Sequence, residues 1–369
     1  MTDNSTTERL KSLDILRGFD MFWITGGSAL IAALAKATDW SVFAGIENQM
    51  HHVRWEGFHF YDLIFPLFMF IMGVAIPYSF IPRIEAGVAK KSLYRKVLKR
   101  FILLVVFGIF YNQASSPDWA NPRIASVLGQ IGFAYLFAAL IFINASNLRS
   151  IVIWITGILV VYGLVQNFMP VPGFGSGVLT ADGSINAFLD QRITPGRLYG
   201  GTYDPEGVIN NISAVGITLM GTLAGLILRS KVLAGKYKKF LILVALGTGF
   251  LILAYILREW YPAIKKIWTS TFNLHAGGIS MLILAGFYLV VDVWKYEKWG
   301  FYFRVIGMNS ITIYLAYAFI SFRGISENLF QGLSMHLGEA GDLIISMGML
   351  AIIWTCLYLL YKNKIFLRV

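Results

Sequence analysis

Residues 63–82 form an apolar run without one charged side chain. That is about the length a helix needs to cross the ~30 Å hydrocarbon layer of a bilayer. Nine further apolar blocks, each bounded by charges, lie at 15–35, 101–113, 124–143, 151–169, 208–228, 240–257, 272–291, 305–322 and 343–361. Several sit near the lower length limit for a span, which tilt accommodates. Because lipid offers no partner for free backbone groups, such runs must be helices. Hydrophobic residues make up 57% of the chain and charged ones only 14%, which excludes an ordinary soluble domain. The expectation is an all-α polytopic membrane protein, a bundle of about ten transmembrane helices forming one domain over 1–369, with outer loops at 37–61 and 170–207.

Lysine and arginine in alternate connections set the orientation. One side collects 22 of the 31 basic residues, among them Arg83, Lys90, Lys91, Arg95, Lys96, Lys99 and Arg100, and the other side 9. Both termini are therefore expected in the cytoplasm, including the polar stretch 1–10, which lacks a cleavable-signal pattern. The acidic residues lean the other way, 13 of 20 outside. An acidic outer mouth suits a cationic substrate such as an amino sugar, and a basic inner face suits a polyanion such as coenzyme A. Topology and anionic lipid alone would give the same asymmetry. Cys356, the single cysteine, allows neither a disulfide nor a cysteine metal site.

Chemistry concentrates just before the 63–82 run, where His51, His52, His59, Arg54, Glu56 and Asp62 stand within a dozen residues. An isolated histidine is usually packed; His52 among these charged neighbours is the candidate base or nucleophile. Convergence of the three imidazoles on zinc is not required by the spacing, and no metal is expected. His275 and His336 also map to the outer half. The long connection 170–207, rich in Gly, Pro and Asp, reads equally as a substrate lid or as a plug over the bundle. Its glycines follow no nucleotide-loop pattern. Residues 90–100 suit a basic helix at headgroup level. Asp14, Arg17 and Asp20 share one helical face, as a structural ion cluster or as ligand contacts.

Several motifs occur in a fixed order: Ser12-Leu-Asp14-Ile-Leu-Arg17-Gly18, His52-x-x-Trp55-x-Gly57, and Asp62-Leu-Ile-Phe-Pro66-x-Phe-x-Phe-Ile-Met-Gly73. Arg123-Ile-x-x-Val-Leu, Tyr203-Asp-Pro-Glu-Gly207, Trp268-Thr-Ser and Gly307-Met-Asn-Ser-Ile311 follow. Together they resemble the heparan-α-glucosaminide N-acetyltransferase family over nearly the whole chain. The resemblance implies a transmembrane acetyltransferase that takes acetyl-CoA from the cytoplasmic side and passes the acetyl group to a glucosamine amine on the far side. The family's active histidine matches His52. Lysosomal members carry a luminal domain ahead of the first span, so a homologue of the bacterial inner membrane is the better match. Their asparagine near the outer end of the first span has no counterpart in Thr25-Gly26-Gly27, and its role is not carried over. Family members can also dimerise through their helices.

Neutral His52 suits a base for the acceptor amine, or an acyl relay. Asp62 reads as its orienting carboxylate or as a helix N-cap. Arg17, Asn309 and Ser310 are candidates for the donor, the last two as partners for pantetheine amides or as glue between helices. Arg54, Trp55, Glu56, Asp204, Glu206 and His275 are candidates for the acceptor. Two competing classes are a sugar permease or exporter, disfavoured by the lack of paired Gly- or Pro-broken helices in matching halves, and a membrane scaffold without catalysis.

Overall fold

The computed structural model describes residues 10–38 and 40–367. Residues 1–9 of the tail expected in the cytoplasm, with Arg9, and the last two residues, with Arg368, lie outside the described residues. Among the described residues the chain is all-helical: α1 Lys11–Phe22, α2 Ser28–Thr38, α3 Ser41–Gln49, α4 Phe60–Glu85, α5 Lys90–Ser115, α6 Val127–Asn144, α7 Leu148–Phe168, α8 Ile185–Ile193, α9 Val208–Arg229 and α10 Lys236–Leu257. After these come α11 Ser270–Phe287, α12 Phe301–Met308, α13 Ser310–Ala316, α14 Phe322–Met335 and α15 Gly341–Lys362. A π-helical turn, Trp23–Gly27, joins α1 to α2.

Among the described residues eight stretches are long and apolar enough to cross a membrane, and each coincides with one of the ten apolar blocks. The protein is thus a multi-pass membrane protein. The remaining two blocks have a different character. Residues 101–113 are the apolar half of α5, a 26-residue helix whose first half carries the lysines and arginines. Residues 305–322 are broken at Asn309, where φ −126° and ψ 33° end α12. The Asn309 carboxamide there donates to the Ile365 carbonyl at 3.2 Å. An asparagine side chain competes well for backbone groups, which is why hydropathy alone reads through such a break.

Helices α4 and α9 form the centre. The apolar windows of the two are 67% and 89% buried, against 22% for α7 and 17% for α10, which face outward. The two cross at glycines: a Cβ on Gly73 would lie 1.9 Å from the Thr218 carbonyl oxygen, and one on Gly221 2.0 Å from that of Phe70. Close backbone approach of this kind is how membrane helices gain packing energy where lipid is as apolar as leucine. Thr222 adds a hydrogen bond from Oγ1 to the Gly73 carbonyl at 3.3 Å.

Gly73→Val should force these backbones apart. The expected loss is about 3 kcal/mol or more, seen as a large fall in thermal midpoint of the detergent-solubilised protein. Gly157→Ala, where an added Cβ meets nothing within 4 Å, should leave the midpoint unchanged or slightly raised.

Candidate active site

The segment that leads into α4 folds around one carboxylate. Asp62 is the third residue of α4, and its Oδ2 accepts from the His59 amide at 3.1 Å and the Val53 amide at 3.4 Å. It thus supplies the reach-back arm of a capping box to the N-cap amide of His59 and ties down Val53 in the preceding segment. Its other oxygen, Oδ1, lies 2.7 Å from His52 Nδ1. The helix N-cap is therefore His59 and not Asp62, which reaches back to it from the third position, while the second Asp62 oxygen faces the His52 ring. With its side chain only 1% exposed, Asp62 holds a His52 ring that is 50% exposed. The Nδ1 proton on Asp62 leaves Nε2 as the imidazole nitrogen with a free lone pair.

A lysine that the motifs did not single out completes this group. Lys265 Nζ lies 3.1 Å from His52 Nδ1 and 3.4 Å from Asp62 Oδ1. Burial pulls its ammonium below the ordinary lysine range, with the charge of Asp62 opposing. The lysine begins a single 3₁₀ turn, Lys265–Ile267, fixed from two directions. On one side Glu56 pairs its backbone with Ile264, and Gly57, at φ 119°, donates its amide to the Ala263 carbonyl at 2.9 Å. On the other, the Ile267 carbonyl accepts from Tyr162 and Gln166, each at 2.9 Å, and the Lys266 carbonyl from Asn210 at 3.1 Å.

His52 and Asp62 line a cavity of about 580 Å³ together with Arg54, Trp55, Glu206, Lys265 and Ser310. Of the candidates for the acceptor, then, Arg54, Trp55 and Glu206 reach this cavity. Trp55 is held by a hydrogen bond from Nε1 to the Leu179 carbonyl at 2.8 Å, which ties the 170–207 connection to the 37–61 segment. Glu56, Asp204 and His275 stand outside the cavity wall. Glu56 contributes backbone pairing; His275 stacks on Phe58 with ring centres 4.6 Å apart. Asp204, fully buried, grips Arg123 through two oxygens at 2.9 and 2.6 Å.

Arg123, another wall residue the motif reading gave no role, also pairs with Glu206. Burial works against its cation, but the two carboxylates outweigh it and hold its pKa above the ordinary value. Glu206 is pushed up to about 7 by burial, with Arg123 opposing and Asp204 adding repulsion. Four basic side chains, Arg54, Arg123, Lys265 and Lys266, share the wall with Asp62 and Glu206. The acidic excess counted over the outer connections does not extend into the cavity.

A second cavity of about 350 Å³ lies beyond the first, lined by Arg17, Arg100, Met72, Met308, Ser310 and the carboxy-terminal Phe366 and Leu367, among others. Phe68, Ser310 and Ile311 border both cavities. Arg17 and Ser310 therefore reach this space, whereas Asn309 braces the chain end beside it. Arg100 stands over the Tyr135 ring at 4.3 Å, and its Nε is buried without a hydrogen-bond partner among the described residues.

A many-helix membrane bundle with an imidazole–carboxylate pair at the head of an internal cavity defines the class. Residues 9–178 match a family described as a domain of unknown function, DUF5009. The chain is 25% identical over 424 residues to heparan-alpha-glucosaminide N-acetyltransferase of Mus musculus, which covers 100% of this chain and 62% of the relative. It is 26% identical over 378 residues to the Homo sapiens protein of the same name, covering 86% and 55%. The similarity is thus at family level, and the chain spans less than two thirds of the length of these curated relatives.

The raised Glu206 carboxyl has a stability consequence. Between about pH 4.5 and about pH 7 the folded protein keeps a proton on Glu206 that the unfolded chain has lost. Stability from this group is therefore lost as pH rises through that window. Relative to Glu206→Gln, the wild type should show a thermal midpoint that falls across this range and then levels.

Proposed function

We propose that the protein is a transmembrane acetyltransferase that moves an acetyl group from cytoplasmic acetyl-CoA to the amine of glucosamine or a glucosamine-containing glycan on the outer side of the membrane. The observation that carries this reading is the pair of abutting cavities. One is headed by His52 and Asp62, and the other, toward the opposite end of the bundle, is walled by Arg17 and Arg100. A single face of α4 lines both, from Asp62 through Phe65 and Phe68 to Met72 and Ala75. Thirteen residues of helix advance roughly 20 Å, on the scale of an extended pantetheine arm.

The residues present fit such a donor. The unsatisfied Arg100 Nε and the neighbouring Arg17 supply cations for phosphate, and Ser310, at the junction, supplies a hydroxyl for an amide of the arm. In this scheme Arg54, Trp55 and Glu206 face the sugar. His52 Nε2 takes a proton from the acceptor amine as its nitrogen bonds to the acetyl carbon, and the carbon–sulfur bond breaks to release CoA thiolate, which takes that proton from the imidazolium and leaves as the thiol. Asp62 keeps the Nδ1 proton and stabilises the imidazolium that forms. The same reading uses ten spans, both termini in the cytoplasm, 37–61 and 170–207 as outer loops, and a bacterial inner membrane as the location. The similarity to named N-acetyltransferases supports the reaction class.

The test supplies purified protein with radiolabelled acetyl-CoA, with and without glucosamine. Wild type should label the sugar, and His52→Ala, still folded, should lose transfer by about 100-fold or more. Glucosamine uptake into proteoliposomes without acetyl-CoA would instead make the protein a permease.

A further inference from the structure

We propose that Lys265 is a positioning residue that holds the His52–Asp62 pair in its reactive arrangement, with the Nδ1 proton on the Asp62 side and Nε2 free. The role rests on the acyl-transfer reading of the site, but the contact it depends on can be measured without turnover. Lys265 Nζ and His52 Nδ1 face the same carboxylate oxygen, at 3.4 and 2.7 Å. An ammonium has only protons to offer and no lone pair. The Nδ1 proton must therefore go to Asp62, and the 3.1 Å approach of Nζ to Nδ1 places a cation against the ring. That cation helps keep Asp62 ionised as the acceptor of the Nδ1 proton.

The other charged groups facing the cavity are Arg54, Arg123, Glu206 and Lys266. Arg123 is balanced by Asp204 and Glu206, which leaves Lys265 as the cation in direct contact with the pair. Its placement does not come from the side chain alone. The Lys265–Ile267 turn is clamped between the backbone of residues 56–57 and the buried Tyr162, Gln166 and Asn210 side chains. A lysine that only filled space would need no such clamp, and arginine or methionine would fill the same space equally well.

The experiment compares wild type, Lys265→Arg and Lys265→Met in detergent at neutral pH. Its readout is the rate at which diethyl pyrocarbonate modifies His52, followed residue by residue by mass spectrometry. Only neutral imidazole reacts. Without the ammonium the ring is no longer held with Nδ1 on Asp62 and Nε2 toward the cavity, so Lys265→Met should slow modification of His52 about fivefold or more, while Lys265→Arg stays near wild type. Lys265→Gln takes the place of the methionine variant if the latter is not monodisperse. In the transfer assay kcat should fall in the neutral variants with KM for acetyl-CoA unchanged, and arginine should restore it. Equal His52 rates in all folded variants would overturn the proposal. Unequal rates in a protein that transfers no acetyl group would uphold the role of Lys265 at His52 and refute the acyl-transfer reading instead.

Discussion

The Asp62 carboxylate is the contact on which the site depends. A buried, ionised carboxylate is costly unless each oxygen finds a donor. Here one oxygen takes the His59 amide at the N-cap of α4 and the Val53 amide before it, and the other takes the His52 imidazole, with the Lys265 ammonium alongside. Helix start and imidazole ring are thereby fixed by the same group. The orientation of His52 is as rigid as the helix that Asp62 caps, although half of the ring is exposed.

Helix α4 extends that rigidity into the bundle. Its glycine crossing with α9 anchors one face, and another face lines both internal cavities. Where the cavities meet, the opposite wall is the broken helix of α12 and α13, interrupted at Asn309. Irregular backbone at this depth is tolerated where it lines a cavity rather than lipid. The break places Ser310 and Ile311 against Phe68 at the junction.

Much of this is legible in the sequence wherever the signal is local. The apolar blocks locate the spans, and His52 and Asp62, ten residues apart, are near enough along the chain for spacing alone to suggest that they pair. What hydropathy misses are the interruptions that leave composition unchanged: the π turn at Trp23–Gly27, within one continuous apolar run, and the break at Asn309. The sequence also hides partners brought from afar. Arg123 meets Asp204 across 81 residues and Lys265 meets His52 across 213. No spacing rule connects such positions. Only the ordered motifs, with Trp268-Thr-Ser shortly after Lys265 and Lys266, hint that the neighbourhood matters. Glu56 and His275, drawn in by proximity and residue type, hold the scaffold rather than face the cavity.

The 213-residue separation between His52 and Lys265 also bears on how the molecule is assembled. A chain made from its amino terminus presents His52 and Asp62 with the first long helices. The cation that completes the group arrives only after α10 has been made, and its turn is locked only when α7, α9 and the segment before α11 have packed. The His52–Asp62–Lys265 group is closed by the same contacts that join α7, α9 and the segment before α11.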